Sequence, residues 1–224
     1  MTRDSYQESL ADLRADVLSM GDLVLERLEA ALESLAFGSE MSARRVVEGD
    51  GEINEIYLDL ENRCVDLFAL QQPVAGDLRF VTASFKIITD LERVGDLAVN
   101  LAQYAMAARG DYAPEVDVVD IGRDAMALLE RGLDAYDSAD ADACREIAAA
   151  DDEIDVRCQR ASETVTRELI ERGDEDGPWA VEEVLDDVSR ALLTIRDLER
   201  IADHAVNIAA RTLYMVESDP ELIY

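Results

Sequence analysis

Apolar residues recur at intervals of three and four along most of the chain, which is the spacing that places them on one face of an α-helix. Near the start, Leu10, Leu13, Val17 and Met20 follow this spacing. Clusters of glycine, proline, serine and aspartate interrupt the pattern, and no alternation typical of a β-strand exceeds four residues. The pattern predicts an all-α protein whose six helices occupy residues 4–36, 41–70, 77–108, 117–137, 141–171 and 179–217.

Three of the expected helix starts carry residues suited to that position. Asp77 and Asp140 are expected as N-caps or first-turn acids, because a carboxylate accepts hydrogen bonds from the unpaired N–H groups there. Trp179 follows Pro178 at the start of the last helix. Proline suits that position because it has no backbone N–H, and the first N–H groups of a helix have no partner within the helix.

An internal repeat divides the chain. The thirteen residues Asp90–Ala102 recur as Asp197–Ala209, with nine identical positions. A shorter matching pair, Asp50–Asn54 and Asp151–Asp155, precedes the two copies in the same order. Two matched pairs in one order indicate a duplicated unit of three helices.

The duplication predicts two homologous three-helix bundles, residues 1–112 and 113–224. The copies of the longer motif lie 107 residues apart and those of the shorter one 101 residues apart, so we place six extra residues in the loop at 173–178. Because a three-helix bundle of this size buries little apolar surface alone, we expect the two bundles to pack together.

Acidic and amide residues lie one helical turn apart within each copy. Glu92, Asp96 and Asn100 form a ladder along one side of a helix, with about 6 Å per step. Stacked carboxylates repel each other, and a hard divalent or ferric ion reverses that repulsion because it prefers carboxylate and amide oxygens. The candidate metal ligands are Glu92, Asp96 and Asn100, their counterparts Glu199, Asp203 and Asn207, and, more weakly, Asp50, Asn54, Asp151 and Asp155 on the preceding helices.

The alternative interpretation of these ladders is a solvated acidic surface, which a chain with 51 carboxylates has in many places. The two ladders repeat the same residues in the same helical phase, which favours a shared role. Their spacing alone does not decide whether that role is metal binding or hydration. Arg93 and Arg200 are expected to form ion pairs with acids three residues away. His204, which replaces Leu97 of the first copy, is expected to make a local polar contact rather than bind metal.

The overall charge of the chain argues against some classes of function. The chain has 51 Asp and Glu against 21 Lys and Arg, a formal net charge of −30, which argues against binding nucleic acid or an anionic membrane. Lys86 is the only lysine. Excess carboxylate with almost no lysine is typical of proteins in a salt-loaded cytoplasm, where a Debye length of about 3 Å weakens self-repulsion. We therefore expect a halophilic source, with an ordinary acidic protein as the alternative.

Cysteine usage and hydropathy suggest a cytoplasmic protein. Cys64, Cys144 and Cys158 form no CxxC pair and are expected to be reduced. The first residues contain no apolar segment typical of a secretory signal, and no run of 18 apolar residues predicts membrane insertion.

Familiar catalytic patterns are missing from the sequence. It contains no glycine-rich phosphate loop, GxSxG or HExxH motif, no Glu-x-x-His pair for a di-iron bundle and too few Cys and His residues for a zinc site. Glu168-x-x-Glu171 followed by Glu183-x-x-Asp186 resembles the magnesium motif of all-α NTP pyrophosphohydrolases. A glycine- and proline-containing break separates the two halves of that pattern, so we attribute it to chance and predict no catalytic residues.

Several motifs in order resemble the PhoU family of phosphate-uptake regulators over essentially all 224 residues. The resemblance rests on Ser19–Gly21, Arg45–Asp50 with Ile53 and Asn54, Gln72–Arg79, and the two copies of Leu-Glu-Arg-(Val/Ile)-x-Asp at 91–96 and 198–203. The chain departs from the family pattern at Ala202, where the motif usually has glycine, as at Gly95.

The resemblance implies two three-helix bundles and ExxxD motifs that bind clusters of iron, manganese, magnesium or zinc. It assigns that role to Glu92 and Asp96 and to Glu199 and Asp203. It also implies negative control of the phosphate-specific ABC transporter, with the ATPase subunit as partner, and a homodimeric state. A phosphate-response sensor kinase is a partner of bacterial members and is doubtful in the archaeal setting that the acidity suggests.

We therefore expect a regulatory adapter without catalytic turnover. The first alternative is a metal-dependent phosphohydrolase that uses the same carboxylates with magnesium to activate water. The second is a plain helical scaffold whose acidic surface serves only solubility in salt.

Overall fold

The computed structural model describes residues 3–71, 75–108, 116–172 and 178–222. Over these residues the chain forms helices and no strand, which confirms the all-α prediction. The helices are α1 (Arg3–Phe37), α2 (Glu40–Glu48), α3 (Asp50–Gln71), α4 (Ala75–Ala107), α5 (Val118–Ser138), α6 (Ala141–Arg172) and α7 (Pro178–Glu217). None of the helices in this part of the chain is long and apolar enough to cross a membrane.

The second predicted helix, residues 41–70, is two helices that meet at Gly49. The N–H of Gly49 donates to the carbonyls of Arg45 and Val46, which ends α2, and α3 begins at the next residue. A Cβ atom at Gly49 would lie 2.8 Å from the guanidinium carbon of Arg27 on α1. The break thus accompanies a close approach by another helix, which the apolar periodicity of this segment did not reveal.

The predicted helix starts agree with the structure. Oδ1 of Asp140 accepts hydrogen bonds of 3.0 Å from the backbone N–H groups of Asp142 and Ala143, so it caps α6. Asp77 lies in the first turn of α4, and Pro178 is the first residue of α7.

The helices form two bundles that pack against each other, as expected. The first contains α1 to α4 and the second α5 to α7, and the bundles meet where α4 packs on α7 and α1 packs on α5. Residues 109–115, which separate the two bundles in the sequence, and most of the predicted loop at 173–178 lie outside the described residues. The apolar stripe predicted in α1 is buried, with Leu13, Val17 and Met20 fully inaccessible to solvent.

The contact between α1 and α5 is reciprocal. A Cβ atom at Gly21 of α1 would lie 2.6 Å from Cδ1 of Leu133 on α5, and one at Gly122 of α5 would overlap Leu32 on α1. Gly122 and Leu133 each stand 101 residues after Gly21 and Leu32, so equivalent positions of the repeat exchange roles across the interface. The two bundles are therefore related by an approximate twofold axis.

Candidate functional site

The first acidic cluster consists of Asp50 on α3 and Glu92 and Asp96 on α4. Burial raises the pKa of Glu92, and the nearby carboxylates of Asp96 and Asp50 raise it further. Burial and Asp50 likewise raise the pKa of Asp96. Asn54, one turn along α3, donates a 3.4 Å hydrogen bond from Nδ2 to Oδ2 of Asp50. The fold thus brings together acids from the longer motif and the more weakly supported acids of the shorter motif.

Cationic side chains from both bundles border the first acidic cluster. Arg93 lies 3.5 Å from both Glu92 and Asp96, which confirms one of the expected ion pairs three residues apart. From α7 of the other bundle, His204 lowers the pKa of Glu92, and Arg200 lowers the pKa of Asp96. The first acidic cluster therefore lies close to the interface between the bundles.

The second acidic cluster consists of Asp151 and Asp155 on α6 with Glu199 and Asp203 on α7. Burial raises the pKa of Asp151 to about 7, with further contributions from the other three carboxylates and from Asp152. Burial and Asp155 also raise the pKa values of Glu199 and Asp203. Four acids are thus crowded where the first acidic cluster has three.

One oxygen of the second acidic cluster has no hydrogen-bond partner. Oδ1 of Asp151 is buried and unpaired, although a buried carboxylate oxygen normally accepts a hydrogen bond or binds a cation. A hard cation suits this environment because it supplies the missing partner and offsets the repulsion among the acids. Within the described ranges, however, no three carboxylate, imidazole or thiol groups already have the arrangement of a metal site. Cation binding would therefore need side chains to rearrange, and the assigned ligands stay a prediction.

The amides predicted as further ligands reach across the interface. Nδ2 of Asn100 on α4 donates a 3.2 Å hydrogen bond to Oδ2 of Asp197 on α7. Nδ2 of Asn207 on α7 donates a 3.3 Å hydrogen bond to Oδ1 of Asp90 on α4. The structure therefore joins each asparagine to the opposite helix through its amide nitrogen.

His204 and Arg200 each contact an aspartate. Nδ1 of His204 lies 2.9 Å from Oδ1 of Asp90, so the expected polar contact forms, but its partner belongs to α4 of the other bundle and is not local. Arg200 lies 3.7 Å from Asp197, three residues before it on α7. The contacts that Asp90 and Asp197 make with the opposite helix were missed, although each is the first residue of its copy of the longer motif, and that repetition was the available signal.

Other residues singled out in the sequence lie apart from the acidic ladders or outside the described side chains. The acidic pattern at Glu168, Glu171, Glu183 and Asp186 spans residues 173–177 and includes side chains outside the described set. The cysteines are buried as free thiols, and burial raises the pKa of Cys158, the nearest to the second acidic cluster, to about 12. A thiol with that pKa is protonated at neutral pH.

Comparison with known proteins identifies a family along most of the chain. The family model for the PhoU domain matches twice, at residues 17–105 and 118–212. The phosphate-specific transport system accessory protein PhoU homolog of Pseudomonas aeruginosa is 34% identical over 215 residues, covering 94% of this chain and 85% of the relative. Phosphate-specific transport system accessory protein PhoU of Escherichia coli K12 is 29% identical over 214 residues, with coverages of 95% and 85%.

Solved structures agree with the fold. The crystal structure of PhoU from Pseudomonas aeruginosa superposes with a TM-score of 0.84 at 31% identity, covering 96% of this chain and all of that one. The phosphate transport system regulatory protein PhoU from Streptococcus pneumoniae gives a TM-score of 0.84 at 28% identity, with coverages of 96% and 98%. The prediction of a PhoU-like all-α fold is thereby confirmed.

Proposed function

The chain belongs to the PhoU family of phosphate-transport accessory proteins, and we propose that it acts in the cytoplasm as an adapter that lowers phosphate uptake. PhoU homologues are accessory proteins and not enzymes, which sets aside the phosphohydrolase alternative. The observation that carries the proposal is the match of both repeats, in sequence and in fold, to accessory proteins named for phosphate-specific transport.

The proposed direct partner is the ATPase subunit of the phosphate-specific ABC transporter. Binding of the adapter there would restrain ATP-driven import when phosphate is plentiful. A homodimer and contact with a phosphate-response sensor kinase belong to the same proposal. The net charge of −30 and the single lysine support a halophilic setting, in which a sensor kinase is the weaker of these partners.

The two acidic clusters are proposed to bind iron, manganese, magnesium or zinc. The unpaired Oδ1 of Asp151 and the crowding of carboxylates around it support this assignment. A bound cation would fasten α3 to α4 in one bundle and α6 to α7 in the other, because its ligands come from both helices. The proposed ligands are Asp50, Glu92 and Asp96 in the first acidic cluster, and Asp151, Asp155, Glu199 and Asp203 in the second.

Uptake of radiolabelled phosphate in cells with and without the gene tests the adapter. Deletion should raise uptake under phosphate-rich conditions, and the wild-type protein should restore the low rate. Co-purification with the ATPase subunit in molar salt should accompany that restoration. If uptake is the same in both strains and the ATPase subunit does not co-purify, the adapter proposal is wrong.

Elemental analysis in high salt tests cation binding. Wild-type protein incubated with iron, manganese and magnesium should retain several ions per chain, and Asp96→Asn with Asp203→Asn should lose most of them. Asp59→Asn with Asp134→Asn is the matched control, because both residues are exposed acids outside the two clusters. If the wild-type protein binds no metal, or if the control variant loses as many ions as the cluster variant, the metal proposal is wrong and the acidic ladders are hydrated surfaces.

A further inference from the structure

Four residues of the repeat make reciprocal contacts between α4 and α7. Asp90 and Asn100 on α4 correspond to Asp197 and Asn207 on α7, 107 residues later. Each asparagine donates to the aspartate of the other helix, with distances of 3.2 and 3.3 Å. We call Asp90, Asn100, Asp197 and Asn207 the α4–α7 latch. Its pairing follows the same approximate twofold axis as the contact between α1 and α5.

The latch carboxylates are shielded from water and accept more than one hydrogen bond. The side chain of Asp197 is 4% exposed, and its Oδ2 accepts from both Asn100 and the hydroxyl of Tyr104, the latter at 3.0 Å. The side chain of Asp90 is 15% exposed, and its Oδ1 contacts both Asn207 and His204. A carboxylate removed from water depends on such partners, so sliding one helix along the other would leave both acids unsatisfied.

The latch lies between the bundles and next to the first acidic cluster. Asp90 lies two residues before Glu92, and Asp197 pairs with Arg200, a residue whose charge acts on Asp96 of the other bundle. The same helix pair therefore carries the latch, Glu92 and Asp96 on α4, and Glu199 and Asp203 on α7. The relative position of the two bundles decides how these charged groups face one another.

We propose that Asp90, Asn100, Asp197 and Asn207 are positioning residues that lock α4 to α7, so that the two bundles unfold and move as one body. This role differs from the metal-ligand role that the spacing of the asparagines suggests. It needs no bound cation, because all the contacts that define it join side chains of the chain itself.

A charge swap tests the latch in EDTA and molar salt. Asn100→Asp places two carboxylates against each other in the buried site, whereas Asn100→Asp with Asp197→Asn restores a donor and an acceptor in reversed order. Urea unfolding is followed by far-UV circular dichroism, which reports all helices, and by fluorescence of Trp179, the only tryptophan, which lies in α7. The transitions should coincide in the wild type, separate in Asn100→Asp with one midpoint lower by about 1 M, and coincide again in the swap.

Two further variants keep the test decisive. Asn62→Asp adds the same charge at an exposed position of α3, away from α7 and outside both acidic clusters, and should leave the transitions coincident. Asn100→Ala with Asn207→Ala removes both amide donors without adding charge, and it replaces Asn100→Asp if that protein does not fold. Separate transitions in the wild type, coincident transitions in both disrupted variants, or failure of the swap to recover would each overturn the proposal.

Discussion

The two acidic clusters occupy equivalent positions of the repeat but differ at one residue that changes their charge balance. In the first acidic cluster, the amide of Asn54 donates to Asp50. In the second, the equivalent position is Asp155, which adds a carboxylate, and Oδ1 of Asp151 is left without a partner. A duplicated scaffold can therefore hold one cluster that is partly satisfied by its own side chains and another that depends more on a cation.

The charged side chains around the two clusters also differ. Arg93 contacts Glu92 and Asp96 of the first acidic cluster directly. At Asp151, the charges with the largest effect on its pKa are carboxylates, and together with burial they raise that pKa to about 7. In the same cluster, Arg200 and His204 lower the pKa of Asp203. The comparison indicates that the second acidic cluster gains more from a bound cation and loses more when the cation is removed.

The largest expected effect is loss of cation binding at the second acidic cluster. Asp203→Asn should weaken Mn²⁺ binding there by about 10- to 100-fold, the range found for supporting groups around metal sites, because the substitution removes the charge of a ligand. Isothermal titration in molar salt measures the affinity of each cluster. Asp134→Asn, an exposed acid on α5, serves as the control. Equal binding by Asp203→Asn and wild type would contradict the assignment.

Exchanging the residue that differs within the clusters should make them more alike, with Asp152, whose counterpart is Gly51, as the remaining charge difference beside them. Asp155→Asn should lower the Mn²⁺ affinity of the second acidic cluster about tenfold, and Asn54→Asp should raise that of the first, because each changes the ligand charge by one. The electron paramagnetic resonance signal of free Mn²⁺ measures both affinities. A change in the same direction for the two variants would show that position 54 and position 155 do not play equivalent roles.

In the metal-free protein, the crowding of carboxylates at Asp151 should make the thermal stability depend on pH. Its folded-state pKa of about 7 lies above the ordinary value of 3.8, so the ionised form is disfavoured by folding. The resulting loss of stability is complete above about pH 7 and disappears as the pH falls toward 3.8. Asp151→Asn should therefore melt about 3 °C above wild type at pH 8 and at the same temperature near pH 4.

The equivalent change in the first acidic cluster provides the contrast. Asp50→Asn removes a carboxylate that accepts a hydrogen bond from Asn54, so its gain at pH 8 should be smaller than that of Asp151→Asn. Calorimetry in EDTA at both pH values measures the pair. If Asp50→Asn gains as much as Asp151→Asn, the difference between the clusters does not depend on hydrogen bonding to Asn54.

The smallest expected effect concerns Gly95, whose counterpart in the second copy is Ala202. A Cβ atom at Gly95 would lie 3.0 Å from Cδ1 of Ile53, so the gain in helix propensity from Gly95→Ala is offset by crowding. The net change should stay within about 1 kcal/mol. Ile53→Val, which removes that Cδ1 atom, should make Gly95→Ala stabilising by about 0.5 kcal/mol in thermal denaturation. If Gly95→Ala has the same effect with either residue at position 53, crowding does not explain the glycine.

The sequence alone predicted the helical class and the two bundles, and it offered the acids of the shorter motif as weaker candidates beside those of the longer one. Apolar spacing is a property of each helix by itself, so the buried stripe containing Leu13 and Val17 could be recognised without a structure. The repeat identified Glu92, Asp96, Glu199 and Asp203, because equivalent residues stand in the same helical phase. The prediction of cation binding at these residues remains to be tested.

Only the tertiary structure decided what faces each of these helices. The break at Gly49 accompanies the approach of Arg27 from α1, and the partners of Asn100 and Asn207 belong to the opposite bundle. Helical periodicity tells which residues share a face, but it carries no information about which other helix covers that face. For this reason, the ladder positions followed from the sequence, whereas the contacts of their amides required the packing of α4 against α7.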